Sequence, residues 1–575
     1  MTKMAKIYLR AFGSGELSHV PIETLVALFT IKYCDSNVEI FLVESEKKDS
    51  EYIYLVDLTM FQYKFIKFDD VSKISRACEL PNLELDEKNC IAGLCGTLRQ
   101  IIKNILIDSP DHSSRSLLGF KEQCLSACSE ASIWTKFCEI DIVSMVGCKL
   151  TEDQENMIPL SLAKFENHMS QPVKLHNLFK YTMSKKFAGD NVTKDRKVLP
   201  EHTFAEGLSL TLADVIIFVC IHIYFNSIDR TLVSDKLPLT IKWYENMLTD
   251  EKIMKSLEIL SNECKRLCES VSSYSLPCIE NYSLYKSDPK RYKPKNRIYT
   301  HQKDIDNSLE KIRSGNIQFG IDKLFAQDQE IDWSSIPLDA TPQGGDLPNK
   351  RLKRKFEQLE SLCKPILKLS KKGDIIVDFC SGGGHLGILV AYLLPDCKVI
   401  LLENKALSMQ KAKERVGRLG LKNVIFYQCN LDYFKGNFNI GACLHACGVA
   451  TDLVLQQCIK RNAAFVCCPC CYGSIQDCSH IVYPRSQLFE NVLEKRNYFN
   501  LVHASDQTHD TENVKTKQGY ECMTIVDTDR KVQAEESGYK VYLNKLTPET
   551  CSPKNHLLIG WPCKLNYRFC NSPLT

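Results

Sequence analysis

The pattern of apolar and polar positions is most regular in the C-terminal third of the chain. Ile375, Ile376, Val377 and Phe379 make a short apolar run rich in β-branched and aromatic side chains, the composition of a strand buried on both faces. The turn Ser381-Gly382-Gly383-Gly384-His385-Leu386-Gly387 follows, and the aliphatics from Leu386 to Leu394 predict a helix stopped by Pro395. A second apolar run, Lys398 to Leu402, ends on Glu403. The alternation then continues with a helix over Ala406 to Leu419, closed by Gly420, and strands over Val424 to Gln428, Phe438 to Leu444 and Ala463 to Cys468. Strands and helices alternating in this way predict a Rossmann-like, doubly wound α/β sheet whose strand-end turns form a site.

Upstream the pattern is less regular. Lys6 to Ala11 and Val38 to Val43 read as strands with a helix over Pro21 to Ile31 between them, and Tyr52 to Leu58 as a third strand. Residues 1–110 are therefore expected to be an α/β region compatible with a thioredoxin-like fold. Residues 111–272 change to helical spacing, first over Leu117 to Phe137 and then over the apolar stretch after Thr211. Thr211 and Asp214 form a T-x-x-D capping box, which satisfies helix-start amides reciprocally. Residues 273–346 are expected to be a basic linker, with the proline-broken, tyrosine-interleaved stretch Lys286 to Arg297 at its centre, and 347–575 the domain of the regular sheet.

Composition narrows the class without naming a function. The 575 residues exceed what one core holds, so several domains are expected. A net charge of +3 points neither toward nor away from nucleic acid. The most apolar window, Leu212 to Phe225, is too short to span a bilayer and carries Asp214 and His222, so no membrane contact is expected. The first residues lack a secretory apolar region, and 28 cysteines then imply mostly reduced thiols in the cytosol or nucleus, with a cytoplasmic protein expected.

The turn after the first regular strand carries the chemistry. Asp378 precedes the glycines in D-x-C-S-G-G-G-H-L-G. A carboxylate there repels a pyrophosphate but accepts from an ammonium, and Glu403 at the next strand end suits a pair of ribose hydroxyls. This combination resembles the first two motifs of class I S-adenosylmethionine-dependent methyltransferases, with Asp378, Gly382 and Gly384 matching and Cys380 standing where the family has its first glycine. The resemblance implies S-adenosylmethionine held by Asp378, Cys380, Ser381, Gly382, Gly384 and Glu403. It also implies that Asn430, Leu431 and Asp432, after the third strand, contact the adenine.

The helical region resembles the C-terminal domain of glutathione transferases, through Ser209-Leu210-Thr211-Leu212-Ala213-Asp214-Val215 and the aromatic pair Trp243-Tyr244. That likeness implies an all-α module used for docking a protein partner. It implies glutathione binding only if the N-terminal region supplies a ligand, for which Tyr8 and Ser14 are the early choices; Glu44-Ser45 lies at the wrong strand end. A glutathione-dependent protein and a non-catalytic scaffold stand as alternatives to a methyltransferase.

The turns His445-Ala446-Cys447-Gly448-Val449-Ala450-Thr451-Asp452 and Cys467-Cys468-Pro469-Cys470-Cys471-Tyr472-Gly473 end the fourth and fifth strands. They resemble the branch holding the tRNA 2′-O-methyltransferases of the Trm-thirteen type and the methyltransferase-like twenty-five proteins. His445 is placed to remove an acceptor proton or to bond the loop backbone, and Asp452 to cap a helix. Cys470 and Tyr472 are expected to line the acceptor pocket beside Cys471, with Cys467 and Cys468 as strand residues. C-x-x-C spacing occurs without a second pair at ribbon distance, so no metal is expected. Lys350, Arg351, Lys353, Arg354 and Lys355 open an amphipathic helix just before the first strand and form an expected RNA contact.

Overall fold

The computed structural model describes residues 4–46, 51–129, 132–147, 156–173, 201–260, 273–279, 284, 301–345, 347–478, 480–508 and 514–563. The basic stretch Lys286 to Arg297 lies outside them. The chain divides into two compact units, residues 1–297 with 433–435, and residues 298–432 with 436–575.

In the first unit the strands are β1 (Lys6–Ala11), β2 (Leu17–Val20), β3 (Glu39–Glu44), β4 (Tyr54–Asp57), β5 (Tyr63–Ile66), β6 (Asn82–Asp86) and β7 (Asn89–Ala92). Five of them form a mixed sheet in the order β7-β6-β1-β3-β5. β1 and β3 are parallel and joined through the helix Ile22–Tyr33, whose apolar residues are nearly all buried, while β6 runs antiparallel to both β1 and β7. The expected strand over Tyr52 to Leu58 exists only as Tyr54–Asp57, and it pairs with β2 outside this sheet. The strands that follow in the sheet are β5, parallel to β3, and then β6, just after the cis Leu80–Pro81 peptide. Its pattern Asn82-Leu83-Glu84 is too polar to read as core. The stretch of helical spacing over Leu117 to Phe137 is broken into short 3₁₀ turns and the helix Ile133–Lys136, because Lys121, Glu122 and Leu125 adopt positive φ.

The capping box is present, and it does more than cap. Asp214 is fully buried; its Oδ2 accepts from the Thr211 amide at 2.9 Å, and its Oδ1 accepts from the Ala205 amide at 2.6 Å and from Trp243 Nε1 at 2.9 Å. One carboxylate thus joins the helix Leu212–Asn226 to the helix Pro238–Met247. Phe29, Phe218, Trp243 and Leu118 share one apolar core, so residues 1–110 and 111–272 do not have separate cores.

The second unit has strands β8 (Ile375–Phe379), β9 (Lys398–Glu403), β10 (Val424–Gln428), β11 (Ile440–Cys443), β12 (Ala464–Cys467), β13 (Tyr539–Lys545) and β14 (His556–Pro562). Their order is β13-β14-β12-β11-β8-β9-β10. β10, β9, β8, β11 and β12 are parallel and β14 is antiparallel to both its neighbours, a mixed Rossmann-like sheet with its order reversing between β8 and β11. That reversal opens a crevice at the strand carboxyl ends. Helix Gln302–Ser314 buries Ile305, Leu309 and Ile312 in the same cluster as Phe489, Tyr498 and Leu501, and so belongs to this unit. No helix of the described residues is long and apolar enough to cross a membrane.

Candidate functional site

The loop after β8 takes its shape from alternating left-handed residues. Cys380, Gly382 and Gly384 have φ of 55°, 56° and 73°, which explains why the related motif places glycines at these positions. Cys380 holds that conformation with a Cβ, at a cost of about 1–2 kcal/mol. A Cβ at Gly382 or Gly383 would meet nothing within 4 Å, so the loop borders open space. At Gly387 a Cβ would run into Leu401 and Asp378, so the helix His385–Leu393 can start this close to β8 only with glycine there.

Two carboxylates flank the loop. Asp378, 3% exposed, accepts from the Gly387 amide through Oδ2 at 2.9 Å. Glu403, 7% exposed, accepts from the Gly382 amide through Oε2 at 2.8 Å and from the Lys405 amide through Oε1 at 2.9 Å. Burial raises the Asp378 carboxyl to about 7, against the lowering effects of the Gly387 amide and Lys355, and Glu403 adds to the rise. The Ser381 hydroxyl of the loop is buried and makes no hydrogen bond to the protein. From below, Arg415 buttresses the loop, donating to the Gly383 and Thr341 carbonyls at 3.0 and 3.1 Å. Asn430 is buried, and the Leu431–Tyr433 turn follows β10 as expected, with Leu431 in the core.

At the end of β11, His445 meets Lys355 of the helix Asn349–Leu369, with Lys355 Nζ donating to His445 Nε2 at 2.8 Å. The neutral ring therefore carries its proton on Nδ1. Crowding around the ring, then the Lys355 charge, holds the imidazole down at about 4, and burial holds the Lys355 ammonium at about 8 while Asp378 pulls it upward. Lys355 thus differs from its neighbours in the basic cluster. Lys350, Arg351, Lys353 and Arg354 are exposed, whereas Lys355 points into the site. Its spacing from Leu352, Leu359 and Leu362, the helix's apolar positions, was the available signal.

Tyr472 does not line an acceptor pocket. Its ring is fully buried, and its hydroxyl donates to Asp527 Oδ2 at 2.5 Å. Asp527 also pairs with Arg530 at 2.9 Å and His556 at 2.7 Å, while Arg530 reaches Asp452 at 2.8 Å. Asp452 accepts from the Tyr483 hydroxyl at 2.8 Å as well. It is a member of this network, which ties the helices Val449–Lys460 and Val514–Glu536 together. Sequence reading missed the network because its members are scattered from Asp452 to His556.

Cys467 and Cys468 are buried in and just after β12, as expected of strand residues. Cys470 turns instead toward Cys447, with their sulfurs 3.2 Å apart, and Cys471 completes a group of three. Hydrogen bonds from the Cys447 and Cys470 thiols draw the Cys471 thiol well down, helped by Lys554 and His445, and Cys470 is pushed up in exchange.

Residues 352–478, which contain the glycine loop, both carboxylates, His445 and the cysteine group, match the family described as Methyltransferase domain, so the second unit carries a methyltransferase domain. The whole chain is similar to curated relatives. It is 41% identical to the glutathione S-transferase C-terminal domain-containing protein homolog of Drosophila pseudoobscura pseudoobscura, over 98% of this chain and 100% of that one. It is 43% identical to the Drosophila melanogaster homolog over 85% and 86% of the two chains, and 34% identical to the Homo sapiens protein over 98% and 99%. The chain belongs to the family of glutathione S-transferase C-terminal domain-containing proteins.

Proposed function

We propose that this protein is an S-adenosylmethionine-dependent methyltransferase acting on RNA. The observation that carries the reading is the pair Asp378 and Glu403 at adjacent strand ends, each bonded to an amide of an open glycine loop that also holds the unpartnered Ser381 hydroxyl. The residues fit the cofactor. Asp378 would take the α-ammonium, Glu403 the ribose hydroxyls and Asp432 the exocyclic amine. When bound, the cofactor supplies a methyl group already activated on a sulfonium. What this chain adds is placement of the acceptor, which can supply most of the rate, and removal of its proton.

The Lys355–His445 pair suits proton removal. His445 Nε2 is occupied by the Lys355 ammonium, so the acceptor's proton goes to the pair once Lys355 has lost its own. With Lys355 held at about 8, a useful neutral fraction exists near physiological pH. The exposed Lys350, Arg351, Lys353 and Arg354 lie on the turns of that helix just before Lys355 and suit a phosphate backbone.

The first unit supports docking better than glutathione chemistry. Its order β7-β6-β1-β3 and the Asp214-centred helices support a thioredoxin-like half joined to a transferase-like helical module. Tyr8, however, is 2% exposed and donates its hydroxyl to Glu84 at 3.2 Å. The cleft beside Pro81 is lined by Glu23, Glu44, Glu46 and Glu79 against Arg10 and Lys67. Such a lining disfavours an anionic tripeptide.

Calorimetric titration of the full-length protein with S-adenosylhomocysteine tests the cofactor half of the proposal, with binding expected and lost in Asp378→Ala and Glu403→Ala. Transfer of labelled methyl to total RNA tests the acceptor. Wild-type protein that binds no S-adenosylhomocysteine defeats the reading, and labelled protein with unlabelled RNA defeats the acceptor assignment.

A further inference from the structure

We propose that Cys447, Cys470 and Cys471 form a three-thiolate site for a soft divalent metal, zinc by ligand type, with its fourth coordination position open on the acceptor side of the methyltransferase domain. The site's role rests on the methyltransferase reading, though its existence does not. It also reverses the expectation drawn from C-x-x-C spacing, because the sulfurs that meet are not the ones that spacing pairs. Cys467 and Cys468 are committed to the sheet, and the third ligand comes from the preceding turn, 23 residues away in sequence from Cys470.

The convergence is built by the backbone. The exits of β11 and β12 are laced together by a parallel bridge between Cys447 and Cys470 and by the Gly448 amide donating to the Cys470 carbonyl at 3.1 Å. Gly448, at φ 58°, lies against Ser474, where a Cβ would meet the Ser474 backbone at 2.9 Å. Cys471 is held at φ 51°, a left-handed conformation unfavourable for a residue with a Cβ. That turn brings its sulfur back to the other two. The result is three ligand atoms within 4.8 Å of one another. Tetrahedral thiolates about 2.3 Å from zinc stand about 3.8 Å apart, so small side-chain rotations complete the geometry.

Exposure decides the class of site. Structural zinc sites are closed by four protein ligands, whereas sites that act on a substrate keep one position for it. Among the described residues the group holds three cysteines and no fourth His, Cys, Asp or Glu, and Cys447 and Cys471 are exposed. The group stands two residues beyond His445 in sequence, at the end of β11, which pairs with β8 of Asp378, and at the end of β12 beside it. A hydroxyl or thiol acceptor bound at the open position would have its proton acidity raised by the metal.

The test uses full-length protein purified with a non-thiol reductant and no chelator. One zinc per chain is expected, and cobalt reconstitution should give thiolate-to-metal charge transfer with the visible bands of four-coordinate cobalt. Cys447→Ser, Cys470→Ser and Cys471→Ser should each lower metal affinity more than tenfold, while Cys563→Ser, an exposed cysteine outside the group, should not. Adding 2-mercaptoethanol to the cobalt form should shift the visible bands, and an unchanged spectrum would overturn the open position. Equal metal content in wild type and the triple serine variant would overturn the site, as would a metal-free protein with a Cys447–Cys470 disulfide. S-adenosylhomocysteine titration of the same samples reports folding of the variants and keeps failure of the metal site separate from failure of the cofactor site.

Discussion

Asp378 is the residue on which most of the chemistry depends, because burial has made it a poor acid. Folding raises its carboxyl to about 7 from the usual range near 4, so the folded state holds the proton more tightly than the unfolded chain does. This group's contribution to stability is full at low pH and is lost as pH rises from about 4 through about 7. Ligand binding runs the other way. An ammonium needs the carboxylate, so S-adenosylhomocysteine affinity should fall by up to about tenfold per pH unit below 7. Titrations in buffers of different ionisation enthalpy should show proton release at pH 6 that vanishes by pH 8. Asp378→Asn should remove that pH dependence and weaken binding about 10- to 100-fold; a pH-independent wild type would show that Asp378 does not face the ligand's charge. Lys355 makes a second, separable prediction. With its ammonium near 8, turnover should rise with pH and level off above that value. Lys355→Met should flatten the profile and cost about 10²-fold in kcat while leaving S-adenosylhomocysteine binding nearly intact. Loss of binding without a change in profile would make Lys355 a cofactor contact instead.

Single elements show where sequence was legible. The βαβ unit from Ile375 to Glu403 could be read because buried parallel strands are continuous apolar runs and the loop's positive φ values select small residues. Thr211 and Asp214 were legible because a capping box is local, but nothing local reveals that Asp214 also holds Trp243. β6 and the broken helix near Leu125 were not legible, since one is half polar and the other is set by backbone conformations that carry no compositional mark. The same distinction yields two predictions. Asp214→Ala leaves the Ala205 amide and Trp243 Nε1 without their buried acceptor and should cost about 3 kcal/mol or more in chemical denaturation. On the helix Asn349–Leu369, neutralising Lys350, Arg351, Lys353 and Arg354 together should reduce the salt dependence of RNA affinity. For single-stranded RNA the log–log slope should become shallower by about 0.7 for each phosphate these side chains had neutralised. An unchanged slope would remove this face from the RNA interface, and the Lys355 prediction would stand unaffected.

Across the whole molecule, each unit has its own apolar core. One runs from Ile7 through Phe218 to Trp243, and the others are built on Leu389, Val399 and Ile559 and on Ile312, Tyr498 and Ile525. Cores of that size unfold cooperatively, so calorimetry of the full chain should resolve two transitions. A ligand stabilises only the unit that binds it. At about 100 times its dissociation constant it contributes about 2.7 kcal/mol, which for a unit of this length is a shift of about 5 °C. S-adenosylhomocysteine should therefore move one transition, and Asp214→Ala, which damages only the first unit, should lower the other. Glutathione should move neither, given the carboxylate-lined cleft and the engaged Tyr8 hydroxyl. If glutathione raised the transition that Asp214→Ala lowers, the first unit would have a ligand chemistry of its own, and the docking role assigned to it would have to be given up.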